Sequence, residues 1–470
     1  MLEQKAALIL IALALCVGCP KPSTRGVAVA NVTVIDAANG VRGNHTVVFD
    51  GDEIVSVGPA TGNPPAEVVI DGSGKFLIPG LWDMHVHLTY DEVLTSAMPR
   101  SFLYYGVTSV RDTGGLMHEM EPVVEAMRSP GAVSPRVYFS GPLLDGKRVV
   151  YDGVSRPEIG VGNPTGEEAR QNVTELAAQG VDFIKIYELV SPEVYDALVE
   201  AAEEAGLPIA SHVPLSLRAS QAGPRADSME HLRNVELDCA SNASELLAAR
   251  RQLLSSPEVG SAYELRSSIL ASQRLPAIAM HDEQRCLEVV RALRSTIQVP
   301  TARLLTVRRH PPNGRDDWNA AFARLPGAVR DDWLGILAAL QGAGEPPETQ
   351  FAGWALEMIA RMHEQSVPIG AGTDTPIGFA IPGYSLLNEL DTLVRAGLSP
   401  LEALRSATIR PAEFFGLEGE MGSIAPGMKA DMVLLLANPL HDINNIRRID
   451  SVVSKGVVHP RAELEQAQGN

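Results

Sequence analysis

Between residues 79 and 420 short apolar runs alternate with amphipathic stretches, and this alternation constrains the fold more than any other feature of the chain. The runs Gly80–Leu88, Val107–Arg111, Arg136–Gly141, Phe183–Tyr187, Pro208–Val213, Ser228–Leu232, Ile297–Leu305 and Pro368–Thr375 predict eight strands. Helical stretches lie between most of them, for example Glu167–Gln179 and Pro192–Ala205, with Gly180 and Gly206 as C-terminal stops. Strands that alternate with helices in this way predict an α/β fold, a (β/α)8 TIM-like barrel. An open doubly wound sheet would want a Gly-rich phosphate turn after an early strand, and the sequence has none.

The two ends read differently. Residues 27–78 alternate in strand fashion, broken by turn signals at Asn39-Gly40, Asp50-Gly51 and Asp71-Gly72-Ser73-Gly74, and residues 421–460 repeat the pattern. Neither stretch can bury much core alone, so together they predict a small β-sandwich domain assembled from both termini. Within the barrel, the span from Ser228 to Ile297 exceeds what one helix and two loops require. Residues 233–295 are expected to form a helical insertion over the barrel mouth. Residues 310–350, with Trp318, Phe322 and Trp333, are expected to form a helical lid.

Lys5 precedes an apolar run from Ala6 to Val17, too short to span a bilayer comfortably and suited to the h-region of a secretory signal. The run ends in Leu15-Cys16-Val17-Gly18-Cys19; a small residue directly before a cysteine resembles the bacterial lipobox. That resemblance implies a lipoprotein signal peptide at 1–18, lipid attachment at Cys19, a tether at 19–26 and a place in the bacterial cell envelope, with the membrane reached only through the anchor. An ordinary secretory signal with incidental cysteines is the alternative. In an oxidising envelope Cys239 and Cys286 could pair. Hydrophobic residues make up 45% and charged residues 20%, as in a folded enzyme. The net charge of −18, with no Lys/Arg cluster, excludes a nucleic-acid partner.

His85-Val86-His87 ends the first predicted barrel strand, where side chains two apart share one face. His212, His231 and Asp374 end three later strands. Small residues in Gly370-Ala371-Gly372-Thr373-Asp374 let the carboxylate approach a crowded centre. Active sites of such barrels lie at the carboxyl ends of the strands. Imidazole with carboxylate suits Zn²⁺ and related divalent ions. Lys185 lies in the apolar strand Phe183-Ile184-Lys185-Ile186, where burial favours a neutral amine that can add CO2 to form a carbamate. The carbamate is an anion with two oxygens, suited to bridging two cations; a lysine reaching solvent at the strand end is the plainer alternative.

Ile78-Pro79-Gly80-Leu81-Trp82-Asp83-Met84-His85-Val86-His87 resembles the metal-binding opening of the amidohydrolase superfamily. So do Tyr105–Asp112, Ile184-Lys185-Ile186, Glu230-His231, Gly372-Thr373-Asp374-Thr375 and Lys429-Ala430-Asp431-Met432-Val433-Leu434, and the branch most resembled is the imidazolonepropionase-like one that includes Xaa-Pro dipeptidases. The resemblance implies two divalent metal ions joined by a carbamylated Lys185 and a bridging hydroxide. His85, His87, Lys185 and Asp374 would hold one ion, and Lys185, His212 and His231 the other. It implies hydrolysis of an amide C–N bond in a small substrate, a dipeptide or N-acyl amino acid, with Asp374 as the catalytic proton carrier. Tyr187, two residues beyond Lys185, and Arg111, or Arg308 and Arg309, are candidates to touch substrate.

A deaminase of the same scaffold would carry an acid just after the fifth-strand histidine; Val213-Pro214-Leu215-Ser216 supplies none. Lactone or cyclic-amide hydrolysis and a non-catalytic metal-binding lipoprotein are the remaining alternatives. A Ser-His-Asp hydrolase would need a G-x-S-x-G elbow, which is missing.

Overall fold

The computed structural model describes residues 26–62, 64–154, 156–256, 260–307, 316–342 and 349–466. The expected signal peptide, all of the tether but Gly26, Cys19, Arg308 and Arg309 lie outside the described residues. The N-terminal strands are β1 (Val27–Asp36), β2 (Gly40–Asp50), β3 (Glu53–Pro59), β4 (Val68–Asp71) and β5 (Phe76–Pro79). The β1–β2 turn forms because Asp36 Oδ1 accepts from the amides of Ala38 and Asn39. Gly40 then takes a φ of +78° that a side chain would resist.

A central group follows: β6 (Leu81–Val86), β7 (Val107–Asp112), β8 (Arg136–Phe139), β9 (Leu143–Asp145), β10 (Gly160–Gly162), β11 (Ile184–Ile186), β12 (Ile209–Ser211), β13 (Ser228–Glu230) and β14 (Ile297–Val299). The C-terminal strands are β15 (Met432–Leu435), β16 (Ile449–Ser454) and β17 (Val457–Pro460).

Strands from both termini combine in one hydrogen-bonded unit. They form one eight-stranded hydrogen-bonded sheet in the order β17-β16-β15-β5-β1-β2-β3, with β4 also beside β1. The reason is the length of β1, which pairs β2 along one edge while its other edge takes β4 at Val27–Ala30 and β5 at Thr33 and Val34. Val29, Val32, Val34, Phe49, Ile54, Leu77, Met432 and Leu434 pack together as the buried core of this sheet.

The central strands are parallel, in a three-stranded sheet β6-β7-β8 and a six-stranded sheet β10-β9-β11-β12-β13-β14. Three expected strands are corrected. Arg136–Gly141 is broken at Gly141 (φ +68°) and resumes as β9. Ile297–Leu305 stops at Val299, because Pro300 follows and Thr301 turns into the left-handed region (φ +46°) before a helix at Ala302–Thr306. Pro368–Thr375 forms only isolated bridges, Gln298 with Ile369 and Val86 with Thr375. Along it, Gly370 N donates to Gln298 O (2.8 Å) and Met84 N to Ala371 O (2.9 Å), so this segment links the two parallel sheets. Its glycines are required by crowding: a Cβ on Gly372 would lie 2.8 Å from His85 Cβ.

The helix Pro192–Ala205 starts where Ser191 accepts from Val194 N and stops at Gly206 with φ +68°. The expected insertion contains helices Val235–Asp238, Ala243–Ser255, Ala262–Ala279 and Glu283–Ala292. A disulfide between Cys239 and Cys286 ties its first helix to its last. In the expected lid, helices Asp316–Phe322 and Gly327–Gly342 bring Trp318 onto Phe322 at 4.6 Å, and Trp333 packs edge-on against Phe379 at 5.6 Å.

Candidate metal centre

All six expected ligands are buried, and they come from separate segments: His85 and His87 at the end of β6, Lys185 in β11, His212 after β12, His231 after β13, and Asp374 in the linking segment. The structure brings the histidines and Asp374 together. The His85 and His231 rings are 4.5 Å apart and the His212 and His231 rings 4.8 Å. Donor atoms of His85, His231 and Asp374 all lie within 4.8 Å of one another. His231 (φ +65°) and Asp374 (φ +62°) both hold a backbone conformation that costs energy outside glycine, as functional residues often do.

Each imidazole has its Nδ1 tied outward. His85 Nδ1 meets Glu230 Oε2 at 2.6 Å, His87 Nδ1 meets the Gly114 carbonyl at 3.1 Å, and His212 Nδ1 meets Glu188 Oε1 at 2.7 Å. His231 Nδ1 meets Thr301 Oγ1 at 2.7 Å, whose own proton goes to the Pro300 carbonyl. Every one of these partners accepts, so every Nδ1 carries the proton and every Nε2 presents a lone pair. Nε2 of both His85 and His87 lies 3.2 Å from Asp374 Oδ1. Two lone pairs facing a carboxylate oxygen at that distance repel unless a proton or cation lies among them.

The electrostatics agree. Burial, then the charge of Lys185, pushes His212 down to about 3, and burial holds His231 well below the usual range, so both rings are neutral. Burial opposes protonation of His87, but the Asp374 carboxylate beside its Nε2 prevails and raises it, so the space between these two atoms attracts positive charge, whether a proton or a cation. Burial opposes ionisation of Asp374, yet the imidazoles of His231, His85 and His87 hold its carboxyl well below the ordinary range. Lys185 Nζ is buried with no hydrogen-bond partner among the described residues, and burial lowers it to about 8. A buried ammonium without an acceptor is costly, whereas a neutral amine or its carbamate is not.

Glu188, Glu230 and Thr301 were not identified from the sequence, although Glu230 and Glu188 are acids within or just after short apolar strands, which was the available signal. Arg111 is corrected. It is fully buried, with its guanidinium committed to Glu230 Oε1 (2.7 Å), Ser228 Oγ (2.9 Å) and the Met84 carbonyl (2.6 Å), and it lies over the Phe414 ring. Its donors are committed to these internal acceptors, where it holds Glu230 in place. Tyr187 is buried, its ring 4.5 Å from that of His212.

Residues 76–458 match the amidohydrolase family. An adenine deaminase of Paracoccus denitrificans (strain Pd 1222) is 43% identical over 65 residues, which is 14% of this chain and 10% of that enzyme. The chain therefore aligns with only about a tenth of that curated relative's length. Among solved structures, a Xaa-Pro dipeptidase with methionine bound in its active site superposes with a TM-score of 0.65 at 19% identity, covering 93% of this chain and all of that one. The bottromycin amidohydrolase AH superposes at 0.71 with 22% identity, covering 94% of this chain and 91% of the other. At these identities the likeness is one of fold.

Proposed function

From the premise that the chain belongs to the amidohydrolase family and is a hydrolase acting on C–N bonds, we propose that it cleaves the amide bond of a small substrate, a dipeptide or an N-acyl amino acid, with two divalent metal ions as cofactor. The observation that carries this reading is the convergence of bare Nε2 atoms on Asp374 beside an unpartnered Lys185 amine, a donor set that calls for cations. His85, His87, Lys185 and Asp374 would hold one ion, and Lys185, His212 and His231 the other; the parallel sheets joined through 368–375 would be the (β/α)8 barrel that presents them. Bound there, such ions supply an activated water and polarise the scissile carbonyl. Lys185, as a neutral amine, adds CO2 and releases one proton, which gives an anion with two oxygens. Glu230, Glu188, Thr301 and the Gly114 carbonyl fix the imidazoles. Asp374 carries the water's proton from its carboxylate oxygen to the leaving amine.

The test is metal analysis with a dipeptide and N-acyl amino acid library on wild type and Lys185→Ala. The expected result is two divalent ions and turnover in wild type, with metal lost and turnover down at least about 100-fold in the variant. Full metal content and full turnover in Lys185→Ala would overturn the bridge. A deaminase reading has the short match to adenine deaminases in its favour. Against it, the buried carboxylates nearby are committed, Glu188 to Arg266 and Arg233 and Glu230 to Arg111. Adenine in the same library separates the two.

The envelope location is part of the proposal, and the Cys239–Cys286 disulfide, a bond of oxidising compartments, supports it. Mass spectrometry of the mature N-terminus is expected to find a diacylglyceryl group on Cys19. An unmodified terminus at another residue would remove the anchor.

A further inference from the structure

Four tyrosines and one arginine line the approach to the centre, and nothing in the ligand set accounts for them. Tyr90 lies 6.1 Å from the His87 ring, Tyr151 6.3 Å from Tyr90, Tyr187 5.6 Å from Tyr151, and His212 4.5 Å from Tyr187, centroid to centroid. The tyrosines thus run in an arc from one histidine of the centre to another. The charge of Asp374 reaches both Tyr90 and Tyr151, so the arc stands over the reacting region.

At the outer end is Arg156, in the loop that leaves the carboxyl end of β9. This exposed guanidinium lies over the Tyr263 ring at 4.2 Å, donates to the Tyr263 hydroxyl, and faces the phenols of Tyr90 and Tyr151. The stacking holds the planar fork in one orientation. Other arginines around the centre are engaged by carboxylates: Arg111 pairs with Glu230, and Arg233 and Arg266 share the one carboxylate of Glu188. Arg156 has no carboxylate partner among the described residues. In a chain of net charge −18 the overall field gives an anionic substrate no attraction, so recognition of one needs a local cation.

We propose that Arg156, backed by Tyr263 and opening onto Tyr90 and Tyr151, is the carboxylate-reading residue of the substrate site, so that the substrate ends in a free carboxylate and lays an apolar side chain against the tyrosine arc. This rests on the amide-hydrolase reading above and narrows it. A guanidinium fork with phenol hydroxyls beside it matches a carboxylate in charge and geometry. The tyrosine faces supply apolar area without charge.

The experiment compares N-acetyl-L-phenylalanine, N-acetyl-L-leucine and their C-terminal amides on the metal-loaded full chain, as wild type, Arg156→Gln and Arg156→Lys. Equilibrium binding is measured by calorimetry and kcat/KM by turnover. Wild type is expected to bind and turn over the free acids at least about tenfold better than the amides, a difference of about 1.4 kcal/mol. Arg156→Gln erases the discrimination by weakening the acids alone, and Arg156→Lys restores part of it. Discrimination that survives in Arg156→Gln, equal handling of acid and amide by wild type, or no binding of either would each overturn the proposal. Absence of turnover with acid-selective binding that Arg156→Gln abolishes would sink the hydrolase reading and leave this subsite standing.

Discussion

The centre and the rim of this site are built by opposite means. At the centre each imidazole is tied at Nδ1 by a group from another segment, His85 by Glu230, His87 by Gly114, His212 by Glu188 and His231 by Thr301, and all of it is buried. At the rim, Tyr90, Tyr151 and Tyr263 are only partly buried, and Arg156 beside them is exposed. Ligand geometry tolerates little displacement, so it is fixed by short charge-assisted hydrogen bonds whose loss leaves a buried group unpaired. Recognition tolerates adjustment, so it rests on ring faces and a solvent-accessible side chain. Changes at the centre should therefore cost stability, and changes at the rim should not.

The largest effect is expected from Glu230→Ala, which strands the Arg111 guanidinium in the interior. Urea denaturation should show a loss of about 3–5 kcal/mol, and a loss below about 1 kcal/mol would mean the pair does not hold the centre.

The next concerns Glu389, which accepts from the amides of Ala302 and Arg303 at 2.7 Å each, directly after the Thr301 that holds His231. Burial pushes Glu389 from the ordinary 4.5 up to about 7. Between those values the folded chain binds more protons than the unfolded one, so this group's contribution falls as pH rises and its full cost is present above about pH 7. Relative to Glu389→Gln, the wild type should lose about 2–3 kcal/mol of stability between pH 5 and pH 8. A constant difference across that range would show that the carboxyl is not desolvated.

The smallest effect is expected at the rim. Arg156→Gln should change unfolding stability by less than about 0.5 kcal/mol and leave bound metal unchanged. Lost metal would show that rim and centre are one unit.

Much of this arrangement was legible in the sequence because strand periodicity and strand ends are local properties. His85-Val86-His87 announced two side chains on one face, and His212, His231 and Asp374 each closed an apolar run. The helices of the insertion, from Val235–Asp238 to Glu283–Ala292, fall inside the expected range 233–295. Where local signals misled, a long-range demand had intervened. The run at 368–375 has the composition of a strand, but it must thread glycines against His85 and turn Asp374 inward, so regular pairing is lost. Arg111 looked like a polar residue at a strand end, available to substrate, and proved to be the buried counter-ion of Glu230.

The sequence by itself determined the α/β alternation, the pairing of both termini in one β unit, and the identities of six ionisable side chains at strand ends, because these follow from side-chain alternation and from the cost of burying polar groups. Which nitrogen of each histidine faces inward, what Arg111 pairs with and where Arg156 meets the tyrosines were settled by long-range packing. Those outcomes depend on hydrogen bonds such as His85 to Glu230, 145 residues apart, and no local pattern encodes which distant acceptor the folded chain will bring to a given ring.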